Sequence, residues 1–311
     1  MALTLTELQA TTREYFDSKE ATDNFFNGNL FTMRLMPKAK KVPGGKWIHV
    51  PIEYADSGGG SFEAGDTFDL SKVAILNAAQ FNWAYHYVPV VYDMDDEVQN
   101  SGELEQEVDI VKTKLKNAQE TIRQNIGDQL YTGTGANKQI NGLVNLFNTT
   151  TTTAYGNIQE GDIATWKANS SATAAVMTRG LLQALRREAK INDSPKGIPN
   201  LYVTTDTLRD AYEGRLQPQQ IFSDSKLADA GFENIKFGGA VVVADMKCPD
   251  NYLHGFNENF LGFRVHTKFN FKRTDWMRQT NQMLYSMQII WAGQFVTNQR
   301  RAHTRRTAIS A

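Results

Sequence analysis

Only one cysteine, Cys248, occurs in the 311 residues, so no internal disulfide can form and no thiol pair is available for redox chemistry. No apolar run approaches the ~20 residues that a membrane-spanning helix needs. The opening stretch MALTLTELQATTREYF alternates apolar and polar residues, without the basic start and continuous apolar run of a secretory signal, so folding in the cytoplasm is expected. Excess charge is lacking as well. A formal net charge of −1 excludes a chain that acts as a whole as an electrostatic glove for nucleic acid. What is abundant is apolar content: 41% of residues, enough to bury a sizeable core and fill two domains of ordinary size.

The familiar catalytic signatures are also missing. In GTGANKQING, Lys138 is followed by Gln139 and Ile140 rather than Ser or Thr, and no third glycine completes a dinucleotide fingerprint, so the stretch reads as a helix stop and turn. His49, His86, His254, His266 and His303 include no i,i+4 pair and no zinc-protease motif. Cys248, in KCPDN, has no local positive cluster and no adjacent histidine, and reads as a small buried hydrophobe. DMDDE at 93–97 has half the acids of a calcium loop but neither its glycine nor its closing glutamate. No GxSxG elbow is present. No catalytic, cofactor-binding or metal-ligating residue is assigned, and no cofactor is expected.

What is present is architectural. Trp47, His49, Pro51 and Glu53 alternate with Ile48, Val50, Ile52 and Tyr54, which predicts a strand; Pro51 places it at an edge or in an isolated ribbon. KVAILNAAQFNWAYHYVPVVY, residues 72–92, is rich in β-branched and aromatic residues and supplies the returning strand. Between them lies GGGSFEAGDTF, so the expected tip of the excursion is Gly58, Gly59 and Gly60, followed by Phe62 and Phe68. Leu104, Val108, Val111, Leu115, Ala118, Ile122, Ile126 and Leu130 then recur at steps of four and three, the apolar stripe of one long helix starting near Ser101 and stopping at Gly133. Asn148–Asn157, NTTTTTAYGN, is expected as a surface loop, and the strand and helix signals of 139–262 predict a mixed α/β unit. From Arg264 onward a β-rich tail carries nine Arg or Lys against the single acid Asp275. The segment 93–109, by contrast, carries acids and no base.

At IGDQLYTGTGANKQINGLVNLF, where a long helix that follows a β excursion ends in LYTGTG and INGL, the chain resembles the tailed-bacteriophage major capsid proteins of the Hong-Kong-97-like fold. The resemblance implies an α+β fold: an N-terminal arm at 1–33, a peripheral domain at 34–138 with an extended loop at 38–76 and a spine helix at 102–131, an axial domain at 139–262, and strands returning to the peripheral sheet at 263–311 with the C-terminal tail. It implies a structural protein, not an enzyme. Such a protein self-assembles from hexamers and pentamers into an icosahedral virion shell around double-stranded DNA, is put together in the host cytoplasm with scaffolding and portal proteins, and has no membrane partner.

In that setting Trp47, Gly58, Gly59, Gly60, Phe62 and Phe68 are expected to grip another copy, because a two-stranded ribbon is marginal unless it lies on a surface. The opposed charge runs suggest that Asp93, Asp95, Asp96 and Glu97 pair with Arg300, Arg301, Arg305 and Arg306 of adjacent copies, or that these arginines face DNA. A third reading of RRAHTRR is a β-edge kept from aggregating by its charge. An encapsulin-like nanocompartment shell and a soluble α/β enzyme with a scattered site are the alternative functions.

Overall fold

Regular hydrophobic spacing produces the element on which the rest is hung. The computed structural model describes residues 28–68, 71–99, 110–163, 165–190, 197–216, 235–280 and 282–311. The expected arm, apart from its last residues, and the expected helix start at 101–109 lie outside them. After α1 (Leu30–Leu35), β1 (Lys40–Val42), the pair β2 (Ile48–Glu53) and β3 (Leu76–Phe81), β4 (Ala84–Asp93) and α2 (Met94–Gln99) comes the long helix α3 (Ile110–Thr132). Its 23 residues make a rod of about 34 Å. Ala118, Ile122, Ile126 and Leu130 are buried along one side, as the stripe predicts.

That side lies on a sheet organised by β14 (Leu284–Thr297). β4 pairs antiparallel with it from Leu284↔Asp93 to Gly293↔Ala84. Its other edge takes β11 (Leu261–His266), β12 (Lys272–Arg273) and β13 (Met277–Arg278), and β1 adds parallel to β11. Met287, Ile289 and Trp291 alternate inward and join Ile122, Ile126 and Leu130 in one core. Each such side chain contributes about 1.5–3 kcal/mol relative to leaving it exposed.

The LYTGTG…INGL motif is a close-packed stop for α3. Gly133 N–H donates to Gln129 O, Gly142 N–H donates to Gly133 O, and Ile140 N–H is met by Gln129 Oε1. A Cβ on Gly142 would sit 2.5 Å from both Gln129 O and Leu130 O, and one on Gly133 would sit 2.2 Å from Ile140 O. Only glycine lets the returning chain touch the end of the helix this closely. The short helix α4 (Leu143–Leu146) follows.

The second sheet contains β5 (Asn169–Ser171), β7 (Leu201–Thr204), β8 (Ile235–Phe237), β9 (Ala240–Ala244), β10 (Leu253–Phe256) and β15 (Thr304–Arg306), in the order β5-β15-β10-β7-β9-β8. A small pair, β6 (Ala175–Val176) with β16 (Ile309–Ser310), lies beside it. α5 (Arg179–Glu188), capped by Thr178 Oγ1, and α6 (Asp206–Gly214) cover one face through Leu182, Leu185, Leu208 and Tyr212 packed on Tyr202 and Val242. On the other face Leu201, Val203, Val243 and Phe256 join the core of the first sheet, so one apolar mass links both layers.

NYLHGFNENFLGFRVH forms two strands joined by the 3₁₀ turn Glu258–Phe260, which carries the chain from β10 in the second sheet to β11 in the first. Two expectations change here. The last strands do not stay with the first sheet: β15 enters the second, pairing antiparallel with β10 on one side and parallel with β5 on the other. In the expected surface loop at 148–157, Tyr155 is buried between Phe81 and Trp166.

Candidate assembly surfaces

The excursion is a true ribbon with an inner and an outer face. Ile48, Val50 and Ile52 are buried, whereas His49, Pro51 and Glu53 point out, and the register runs from Ile48↔Phe81 to Glu53↔Leu76. Pro51, which has no N–H to donate, is harmless in a two-stranded pair. The inner face rests on the chain's own core, with Phe81 edge-on to Tyr155 at 5.3 Å. The ribbon therefore needs no second copy to be supported, contrary to the expectation drawn from an isolated hairpin.

Beyond Tyr54 the picture reverses. Residues 56–68 are exposed throughout. Phe62 and Phe68 are each 65% accessible and touch one another edge to face at 5.1 Å. Among the described residues nothing lies within 4 Å of the Cβ positions of Gly58, Gly59 or Gly60. Trp47 is separate from this tip. It sits at the ribbon base, with the Lys46 ammonium 4.4 Å above its ring, and the five residue steps from Ile48 to Glu53 span about 17 Å. The six residues expected to act together thus fall into two places.

The acidic run is mostly engaged within the chain. Asp93 Oδ1 accepts from Asp96 N–H at 2.9 Å and so caps α2, while buried Asp96 accepts from Lys114 Nζ of α3 at 2.9 Å. Asp95 is exposed, and Glu97 lies within α2. For Asp93 and Asp96 the expected pairing with another copy is corrected: a short helix start beside a lysine-bearing helix uses these carboxylates locally.

The basic tail needs the larger correction. Arg300 is 1% exposed, and its guanidinium donates to the carbonyls of Leu146 (2.7 Å), Trp166 (3.3 Å), Asn145 (3.2 Å) and Asn148, with Glu160 at 3.9 Å and the Tyr155 ring below it. Burial lowers its pKa, and the carbonyls and Glu160 are what hold the cation there. A planar fork of five donors adds side-chain partners to the carbonyls at the end of α4, where Asn145 O also accepts from the Asn148 N–H. Arg305 donates to Ser170 Oγ and Phe147 O, and Arg306 pairs with Glu188. Arg301 is half-buried beside them. Arg300 is unavailable to DNA or to a neighbour, and β15 is an interior strand rather than a charged edge. The exposed cations of the returning segment are Lys268, Lys272, Arg273 and Arg278 instead.

Cys248 does acquire a histidine neighbour, His254, with Nδ1 3.7 Å from its sulfur. The pair is chemically quiet. Burial, then the Asp245 and Asp250 charges, push the thiol pKa up; burial, then Arg305, push His254 down to about 3, so neither ionises near neutrality. Among the described residues no cluster of His, Cys, Asp and Glu could hold a metal ion, and no helix is long and apolar enough to cross a membrane. One ionic site had no signal in the sequence: Glu258 accepts from Arg34 and Lys38 and fastens α1 and the following turn. Burial alone would raise its pKa, but these two cations hold it below the usual carboxylate value.

No family model and no curated protein matches the sequence. The folded shape does match known structures. The capsid asymmetric unit of cyanophage A-1(L) superimposes with a TM-score of 0.69 at 18% identity, covering 97% of this chain and 99% of that one. The chain has the tailed-phage capsid fold. The capsid of a native GTA particle gives a TM-score of 0.60 at 13% identity, with 97% and 99% coverage. The encapsulin SrpI of Synechococcus elongatus gives 0.57 at 11% identity, with 100% and 97% coverage.

Proposed function

We propose that the chain is a major capsid protein whose copies form an icosahedral head around double-stranded DNA. One observation carries this reading: end-to-end agreement with the capsid fold, together with an aromatic loop tip that the chain's own fold leaves uncovered. The α3 and β14 layer serves as the peripheral domain and the second sheet as the axial domain around which hexamers and pentamers close. The Phe62 and Phe68 tip grips an adjacent copy. Scaffolding and portal proteins are the expected assembly partners, and contact with packaged DNA is non-specific, carried by exposed cations rather than by Arg300. The role is structural rather than catalytic, and the site of action is the virion.

Electron microscopy and sedimentation of the expressed protein test this. Closed shells are expected, and a chain that stays monomeric in the presence of its assembly partners would refute it. The encapsulin match supports a second reading, a nanocompartment shell. The contents of native particles, DNA or an enzyme cargo, separate the two.

A further inference from the structure

Between the ribbon base and the loop that caps α3 lies an open cavity of about 370 Å³ with no charged side chain in its wall. Two of its amides form the frame. Gln294 Oε1 accepts from Asn141 N–H at 2.8 Å while its Nε2 donates to Asn82 O at 2.7 Å, and Asn145 Nδ2 donates to Thr134 O and to Asn141 Oδ1. Asn82, whose carbonyl that frame holds, and Gln80, whose N–H is held by Gly156 O, together with Asn157 present side-chain amides that are unengaged among the described residues, and Trp47 forms an aromatic side of the opening. Each amide offers one acceptor and a donor pair, the complement of a peptide main chain. The wall itself gives an ion no partner, so any preference for charge comes from its surroundings, and the absence of any Leu, Ile, Val or Met among its described residues gives no seat to an aliphatic side chain.

A main chain approaches such a wall closely only where it carries no side chains. This protein displays such a stretch, Gly58–Gly60, followed by the small Ser61, at an exposed tip where no described residue lies within 4 Å of the glycine Cβ positions. We infer that the cavity receives Gly58–Ser61 of a second copy, with Phe62 laid beside Trp47. Charge favours the match: residues 53–66 carry Glu53, Asp56, Glu63 and Asp66 and no base, while Lys46 covers Trp47 and Lys138 sits in the same short loop as Thr134. In the single chain the paired strands run about 17 Å from their base, where the cavity lies, to Glu53, and the tip follows beyond that end. The inference rests on the shell reading and names the receiving site within it.

The test uses two full-length variants, Ser61→Cys and Asn157→Cys, mixed before assembly so that a disulfide between them joins different copies; native Cys248 is buried. Oxidised particles are expected to give a dimer on a non-reducing gel, roughly tenfold more than a control mixture of Ser61→Cys with Tyr87→Cys on the exposed sheet face. Particles without the dimer, or with equal dimer in the control, overturn the inference and leave the shell reading standing. Wild-type protein that forms no particle overturns both. Should the cysteine variants fail to assemble, hydrogen exchange on wild-type material decides: amides 57–62 slow in particles relative to free chain if the tip is seated, and unchanged exchange refutes it.

Discussion

Replacing Arg300 by methionine keeps most of the side-chain volume and removes the charge. The carbonyls of Leu146, Asn148 and Trp166 then lose the guanidinium donor, Asn145 O is left with the Asn148 N–H, and Glu160 loses the Arg300 cation. Hydrogen bonds to a charged group are worth about 1.5–3 kcal/mol each, and breaking a buried ion pair costs about 3–5 kcal/mol. These contributions overlap, and methionine regains some apolar contact, so a net loss of about 4 kcal/mol is expected. Urea unfolding of the unassembled chain, followed by circular dichroism, should show the midpoint lowered by about 1–2 M. Arg300→Lys should fall between, because three donors on one nitrogen cannot reach carbonyls on two separate segments. A methionine variant within about 1 kcal/mol of wild type would refute the clamp and return Arg300 to the surface cations.

Gly142→Ala pushes a methyl into Gln129 O and Leu130 O, both backbone, and is expected to cost about 1–3 kcal/mol in the same assay; an unchanged midpoint would show that the α3 stop tolerates a wider approach. For Glu258, the folded pKa lies below the unfolded one, so its contribution is complete above the unfolded carboxylate value near ~4.3 and fades as pH falls through the folded value. Wild type should exceed Glu258→Gln by about 1–2 kcal/mol at neutral pH, and the gap should narrow in acid; a gap that widens there contradicts the assignment. Deleting Ser57–Asp66 removes only exposed residues, so the monomer's midpoint should stay within about 0.5 kcal/mol while particle yield collapses; normal yield would exclude the tip from assembly. Cys248 should resist aromatic disulfide reagents in the native chain and react after unfolding, and rapid native reaction would contradict its burial.

Elements whose cause is local are legible in the sequence. The i,i+3/i+4 spacing from Leu115 to Leu130 specifies a helix and the face it buries, because side chains three and four apart share one side of it. The alternation from Ile48 to Glu53 specifies a strand and its inner face for the same geometric reason. The glycines of LYTGTG and INGL mark a turn, but that a backbone oxygen lies 2.5 Å from the missing Cβ of Gly142 is known only once α3 and the returning chain meet.

Charge was the misleading signal. Runs at 93–97 and 300–306 look like surface in sequence, since charged residues are mostly exposed and their partners are invisible. Arg300 and Leu146 are 154 positions apart, and Asp96 and Lys114 lie on different helices. Long-range pairing of this kind depends on how sheets and helices stack, and no local pattern encodes it. By itself, then, the chain determined its long helix, its ribbon, its exposed aromatic tip and the quietness of its lone cysteine. The tertiary structure alone decided which arginine is buried, which sheet receives the last strands and where six amides converge, because each is a meeting of residues distant in the chain.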